Sequence, residues 1–534
     1  MSSLGSPNPF FIAGKKAYEI ERSLRFNSGD SPELTRTPSG AGNRTTWTLS
    51  FWAKISDDDL GSHGFLFSTG ADANNKVQIN IESSNRITFE AKSGGSTQAN
   101  IRPSNNLRDV SAWYHFVIRV DTTDSTSTNR IKFYINGTQQ TDLASNTFPS
   151  QNTEFEWNKA QEHNIGKRTY SNNYFNGYLA EINFIDGQAY DSSYFGKTDP
   201  VTGQWNPKKY GGGYGTNGFY LNFSTNTLGT DRSGNGNDFT PNNFSVVAGV
   251  GNDALEDTPT NNFCTLNAVA KGSGVSLSQG NLGYNSSGRE GVVGTFAVQS
   301  GKWYWEVTAS DVGADTQVGI YDNTDGKGYP TQYLGVNTSS WGVISGNGNT
   351  IHNTSQASYG SSFSDGDILM VALDMDNGKW YLGKNGSWYN SGNPASSTNP
   401  AHSGITSGTG LISPAISNNT ENNMDYQFNF GQRAFSYTPP TGFEKLNSAN
   451  LPDPTIKLPN KHFDTLLWTG DASYPRVITG LQFQPDWHWT KTRNQSYGHG
   501  MYDSVRGTGS SKALRPDDDV YEGAASITPY IDVS

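Results

Sequence analysis

The chain has 534 residues, 38 Lys and Arg against 49 Asp and Glu, and a net charge of -11, with only 16% charged residues, 12% aromatic residues and 60 glycines. So acidic a balance gives no electrostatic footprint for nucleic acid or an anionic membrane and would repel both. The single cysteine, Cys264, excludes an intrachain disulfide framework and a thiolate zinc site. No long stretch shows helical periodicity, and a glycine-, asparagine- and serine-rich chain of this length is expected to fold as several all-β domains of short strands joined by turns.

Residues 1–17 read as a tail or anchor built around the small apolar block Phe10–Ala13. That block is too short for a signal sequence or a membrane span, so the mature chain is expected to begin near Met1. From Tyr18 onward strands recur. Trp47, Leu49, Phe51, Ala53 and Ile55 face one way, and Thr46, Thr48, Ser50 and Lys54 the other. Tyr114, Phe116, Ile118 and Val120 repeat the period, and Ile131, Phe133 and Ile135 alternate with Lys132 and Tyr134 before the Asn136-Gly137 turn. The ordered motifs SLRFNS, TWTLSFWAKI, WYHFVIRVD, IKFYINGTQQ, HNIGKR and FNGYLAEINFIDGQAY resemble a laminin G-like domain of the concanavalin A-like lectin group. The resemblance implies a jelly-roll sandwich whose relatives mostly bind glycans, sometimes with calcium, and occasionally hydrolyse them. Residues 194–250, rich in Gly, Asn and Pro, are expected to pack as a bridging extension, giving a first domain over 18–244.

The second domain is expected over 245–450. Trp303, Trp305 and Val307 alternate with Lys302, Tyr304 and Glu306, implying one buried and one wet face. Ile368–Leu373 is a short, unbroken apolar run. The turn Asp376-Asn377-Gly378 returns the chain along Lys379–Leu382, and Asn385-Gly386 turns it again. The order GKWYWEV, TQVGIYD, YLGV, GDILMVALDMDNGKWYLGKNG, LISPAIS and FNFG resembles the SPRY domain, a bent sandwich that holds partners on its rim loops and has no catalytic machinery. Prolines 452, 454 and 459 mark a boundary, and residues 451–534 are expected to form a third β-module, incomplete at Ser534, in which Trp487 and Trp489 are buried on one strand. The whole arrangement resembles tail-fibre and related adhesin proteins of marine cyanophages.

Catalytic patterns are missing from the sequence. A glycanase needs two carboxylates straddling the bond. Glu154 and Glu156 share a face but lack a third acid, and read as solvated residues. Gly196-Lys197-Thr198 lacks the first glycine of a phosphate loop, and the eight histidines are scattered. The chain is therefore read as a non-enzyme without a cofactor. Calcium is the one metal weighed: Asp231, Ser233, Asn235 and Asn237 offer oxygens at alternate positions, although a plain Asx-type turn is the preferred reading. Trp341, Tyr359, Trp388 and Tyr389, near predicted turns, are the candidate glycan platform, weighed against their use as core fillers.

These readings lead to a phage virion structural protein, a tail fibre or receptor-binding adhesin that recognises host surface polysaccharide or lipopolysaccharide. It would attach to other tail proteins through its N-terminal segment, assemble as a homotrimer, and act in the virion or extracellularly after lysis, without nucleic acid and without membrane insertion. A capsid decoration or tail-hub part, and a polysaccharide depolymerase, are the alternatives.

Overall fold

The computed structural model describes residues 18–56, 61–200, 202–224, 227–313, 315–323, 328–405, 411–420, 424–452, 455–471, 477–493, 495–507 and 512–517. The expected anchor, residues 1–17, and the last apolar run, residues 524–533, lie outside the described residues. Two compact units divide the chain, the larger holding both sandwiches and the smaller the C-terminal module.

The first sandwich packs two antiparallel sheets. Sheet I orders Thr138–Gln139, Ile131–Ile135, Trp113–Asp121, Thr46–Ile55, Gly177–Asp186, Ser23–Phe26 and Ala254–Leu255, with Phe219–Leu221 also paired to Gly177–Asp186. Sheet II orders Leu143–Thr147, Ser96–Pro103, Ile87–Ser93, Asn75–Ile81, Phe65–Asp72, His163–Ile165, Glu33–Arg36 and Thr240–Asn242. Trp47, Leu49 and Phe51 pair with Val120, Ile118 and Phe116, so the alternate apolar residues of both strands fall on one face. That face meets Phe67, Val77, Ile79, Phe89 and Trp157 in a single core. Asn136 and Gly137, both at positive φ, make the two-residue turn the sequence indicates. Residues from the 194–250 stretch add an edge strand to each sheet.

The polar face of Thr46–Ile55 is not wet. Thr48, Ser50 and Lys54 are all buried. Thr48 Oγ1 donates to the Gln188 carbonyl and accepts from Tyr190 N. Ser50 Oγ lies 2.9 Å from His115 Nε2, and Trp205 Nε1 donates to His115 Nδ1 at 3.0 Å. Period-two alternation reports one buried face; it is silent on whether the other is covered later in the chain.

The second sandwich repeats the plan. Sheet III orders Leu266–Lys271, Gly291–Gly294, Ile412–Asn418, Thr316–Asp322, Ser340–Ile344, Thr350–His352 and Ser355–Ala357. Sheet IV orders Val275–Ser278, Gly283–Ser286, Asp425–Asn429, Lys302–Asp311, Ile368–Asp374, Lys379–Lys384 and Ser387–Trp388. Trp303, Trp305 and Val307 enter the core, as expected. Tyr304 and Glu306 do not face water, because the return of the chain lays Phe435, Tyr437 and Phe443 over them. Glu306 accepts from Tyr304 Oη, Ser436 N and Tyr437 N at 2.8–2.9 Å, which satisfies its carboxylate under that cover.

The two sandwiches share one apolar core. Trp52, Trp113, Tyr178 and Ala180, on the outer face of sheet I, cluster with Cys264, Leu266 and Leu282 of the second sandwich. Inside this contact Lys54, 1% exposed, donates to Asp257 Oδ2 at 2.9 Å, Asn262 Oδ1 at 2.8 Å and the Phe263 carbonyl at 3.3 Å. Asp257 accepts in turn from Trp113 Nε1 at 3.0 Å.

In the smaller unit, Trp487–Thr490 pairs with Gly500–Asp503. The expected burial of Trp487 and Trp489 is corrected: they are 44% and 53% exposed. His488, between them, turns inward and stacks on buried Tyr502 at 5.1 Å. A two-stranded ladder covers only one face, and here it is the imidazole face.

Lys54→Met leaves Asp257 charged and buried without its cation. A loss of about 3–5 kcal/mol is expected in denaturant unfolding, with Lys54→Met/Asp257→Asn recovering part of it. Burial pushes His115 down to about 3 from its ordinary value of 6.5. The unfolded chain therefore takes up a proton that the folded one refuses, and stability falls as pH drops from about 6.5 toward 3. His115→Gln is expected to flatten that part of the stability–pH curve measured by chemical unfolding.

Candidate functional site

A cleft opens beside the shared core, where the chain crosses from one sandwich to the other. Asp253 precedes the edge strand Ala254–Leu255, which pairs with Ser23–Phe26 and so sets Asp253 against Arg25. The Arg25 guanidinium donates to Asp253 Oδ1 from Nε at 3.1 Å and from a terminal nitrogen at 2.8 Å, and Asp253 Oδ2 accepts from Ser245 N at 2.8 Å. Burial raises the Asp253 pKa, and Arg25 opposes the rise. Arg433, from the second sandwich, donates to the Phe428 carbonyl at 3.0 Å and to the Val250 carbonyl. Burial, then the neighbouring Arg25, pushes it down to about 9.

Above this floor the cleft encloses about 450 Å³. Asp30, Asn243 and Phe244 line one side, and Gln279, Ser310, Asp425 and Gln427 the other. Burial raises the Asp425 pKa, and Asp311 adds to the rise, while Gln427 Nε2 donates to Asp425 Oδ1 at 2.8 Å. The other end of that amide, Gln427 Oε1, is buried without a partner. Gln279, Gly280 and Asn281 all stand at positive φ, 55°, 66° and 64°, a run of left-handed backbone at the rim. Such runs persist only where the surroundings hold them, and they concentrate at binding sites. Here Tyr178 Oη donates to the Gly280 carbonyl. The lining thus combines amides, carboxylates, the hydroxyls of Ser245 and Ser310, and one aromatic ring, with its one guanidinium, Arg25, already paired to Asp253, which suits a neutral polyhydroxylated ligand more than an anion.

The four aromatics proposed from sequence do not come together as a platform. Trp341 lies on sheet III with its ring stacked on His352 at 4.9 Å and 2°. Tyr359 and Tyr389 do meet, edge to face at 5.9 Å, within the core. Trp388 sits apart, against Tyr304 and Tyr381. Only Trp388 is more than slightly exposed, so the set serves chiefly as packing.

The Asp231 loop is closed by its own hydrogen bonds. Asp231 Oδ1 accepts from Tyr220 N and Ser233 N, and Oδ2 from Ser233 Oγ and Asn237 N, at 2.7–2.9 Å. Asn235 and Asn237 turn their amides to the Gly215, Thr216 and Gly218 carbonyls, and Asn237 Oδ1 accepts from Arg36. Four donors on one carboxylate leave it no free lone pair for calcium, and the turn accounts for the motif. Glu154 and Glu156 pair with Arg44 and Lys159. No group of three or more His, Cys, Asp or Glu side chains placed to hold a metal occurs among the described residues.

Sequence reasoning missed the cleft. Its one trace is Asp253, an acid that follows a stretch poor in charge.

Family models match three parts of the chain: the concanavalin A-like lectin/glucanases superfamily over residues 28–190, the SPRY domain over residues 302–433, and a domain of unknown function (DUF7483) over residues 458–532. The larger unit therefore joins a laminin G-like sandwich to a SPRY domain, an all-β tandem of lectin-type modules consistent with carbohydrate binding. Among solved structures, the SPRY domain of human HERC1 is 18% identical with a TM-score of 0.25, covering 30% of this chain and 96% of its own. Stonustoxin is 21% identical at 0.25, covering 31% of this chain and 27% of its own. The native heptameric SAP-like pentraxin of Limulus polyphemus is 16% identical at 0.25, covering 33% and 81%. No curated protein matches.

Gly280→Ala would set a methyl 2.4 Å from the Tyr178 hydroxyl at a φ of 66°. A loss of about 1–2 kcal/mol in urea unfolding is expected from the left-handed strain alone.

Proposed function

We propose that this protein is a phage virion structural protein, a tail fibre or receptor-binding adhesin, that holds host surface glycan in the cleft between its two sandwiches. The observation that carries the reading is the cleft itself: a polar concavity at a domain junction, with a buried acceptor, Gln427 Oε1, that lacks a donor. A sugar hydroxyl is a small donor of the right kind. Phe244 offers an apolar face beside it, and the Asp30 and Asp425 carboxylates accept further hydroxyls. The phage assignment rests on the likeness of the motif order to marine cyanophage tail fibres. Weak single-site affinity would become avidity through copies arranged around a tail, most simply as trimers attached by their N-terminal segments to other tail proteins. Particle and extracellular location after lysis belong to the same proposal, as does action without catalysis or a cofactor.

The firm junction between sandwiches favours one second reading, a capsid decoration or tail-hub spacer that uses the larger unit as a rigid block. Binding separates the two. Full-length protein is expected to bind lipopolysaccharide or exopolysaccharide from a host bacterium in surface plasmon resonance. Gln427→Ala and Asp30→Ala should each weaken it about tenfold, the worth of one ligand hydrogen bond, with unchanged unfolding midpoints. Wild-type protein that binds none of a panel of such polysaccharides would overturn the adhesin reading.

A further inference from the structure

Glu181 occupies an unusual place in sheet I. The strand Gly177–Asp186 shifts register against Thr46–Ile55 between Ala180 and Asn183, and Glu181, in that bulge, stands at φ 51°. Bulges re-aim side chains, and this one turns a carboxyl out of the ladder into a site where it is 5% exposed. Two phenols meet it there. Tyr18 Oη lies 2.5 Å from Glu181 Oε1, Tyr220 Oη lies 2.8 Å from Oε2, and the two phenol oxygens lie 2.9 Å apart.

Three oxygen–oxygen contacts close a ring, and each needs one proton between its two oxygens. Tyr18 and Tyr220 bring two. If Glu181 were ionised, both phenols would have to donate to it and their own contact would set lone pair against lone pair. If instead one phenol donated to the other, one carboxylate oxygen would be left without its donor. A protonated carboxyl completes the circuit: Glu181 donates to Tyr18, Tyr18 to Tyr220, and Tyr220 to the second carboxyl oxygen.

We infer that Glu181 carries a proton in the folded protein, and that this ring is a pH-sensitive latch fastening the N-terminal arm, at Tyr18, onto the outer face of sheet I. Loss of the one proton breaks one of the three contacts and leaves a buried charge, so Tyr18, the ring member on the arm, is the piece released. Ile20 remains held through Thr260, which accepts from Ile20 N and donates to its carbonyl at 3.1 Å. Release therefore starts at Tyr18 and stops short of Ile20.

The surroundings agree. Burial raises the Glu181 pKa to about 7, and the phenol bonds and Lys209 pull it down less. Tyr214, stacked on Tyr220 at 6.3 Å, donates to Asn183 Oδ1 at 2.9 Å instead of to the carboxyl. Lys209 is the cation acting on it, and the arm's own Glu19 and Glu21 are exposed. A carboxyl raised from 4.5 to about 7 contributes stability that is full below about 4.5 and is lost as pH rises through 7.

Two measurements on the full chain test the latch. Infrared difference spectra at pH 6 should show a protonated-carboxyl band that Glu181→Gln removes. Hydrogen exchange of a peptide covering residues 18–24, corrected for intrinsic rates, should accelerate about tenfold between pH 6 and pH 8.5 in wild type, about one decade for the unit of pH between 6 and the midpoint near 7 and a plateau beyond it. Glu181→Gln, a neutral isostere, should hold its pH 6 protection at both values. Should that variant fold poorly, Tyr18→Phe serves instead and should exchange fast at both. A missing band difference, or the same pH response in wild type and variant, would overturn the inference.

Discussion

The larger unit depends on a charge pair placed where charges are costly. Burying an ammonium and a carboxylate together gains little unless every proton and lone pair finds a partner. Lys54 spends its three N–H groups on Asp257, Asn262 and the Phe263 carbonyl, and Asp257 takes Trp113 on its other oxygen. Apolar contacts among Trp52, Tyr178, Leu266 and Leu282 supply attraction without direction. The directional bonds select one seating of the two sandwiches from the many that such a greasy surface would tolerate.

That seating makes the cleft. Its two walls come from different domains, and their separation is fixed by bonds that cross between them, Arg25 to the Gln279 carbonyl and Arg433 to the Val250 carbonyl. A site on a hinged pair of domains would spend binding energy on closing; walls set in advance spend less. The left-handed run Gln279–Asn281 belongs to the same economy of position, held by Tyr178 from the opposite sandwich.

Much of the fold was legible because its signals are local. The alternation in Thr46–Ile55, the Asn-Gly turns at 136–137 and 385–386 and the ordered SPRY motifs each depend on residues within a few positions, and each stands in the structure where the sequence put it. What was illegible is what sequence-distant segments do to one another. Ser50, Lys54, Tyr304 and Glu306 carry polar groups and alternate as a wet face should, yet segments far along the chain cover them. Trp341, Tyr359 and Tyr389 take the core-filler role weighed against a glycan platform, whereas Trp487 and Trp489, expected to be buried, lie exposed where only one side of a hairpin is covered. The Asp231 loop forms an Asx-type turn through bonds to its own neighbours, a local arrangement that a sequence can suggest. The cleft could not be read at all: Arg25 and Asp253 are far apart in sequence, and only the pairing of Ser23–Phe26 with Ala254–Leu255 introduces them.

Cys264, the sole thiol of these residues, lies wholly inside the shared core, and burial pushes it up to about 11. Thiolate chemistry is therefore closed to it while the sandwiches stay docked. Any joining of copies through this stretch is non-covalent and should come apart in detergent without a reducing agent. Sluggish labelling by a thiol reagent that turns brisk would, conversely, announce that the two sandwiches had parted.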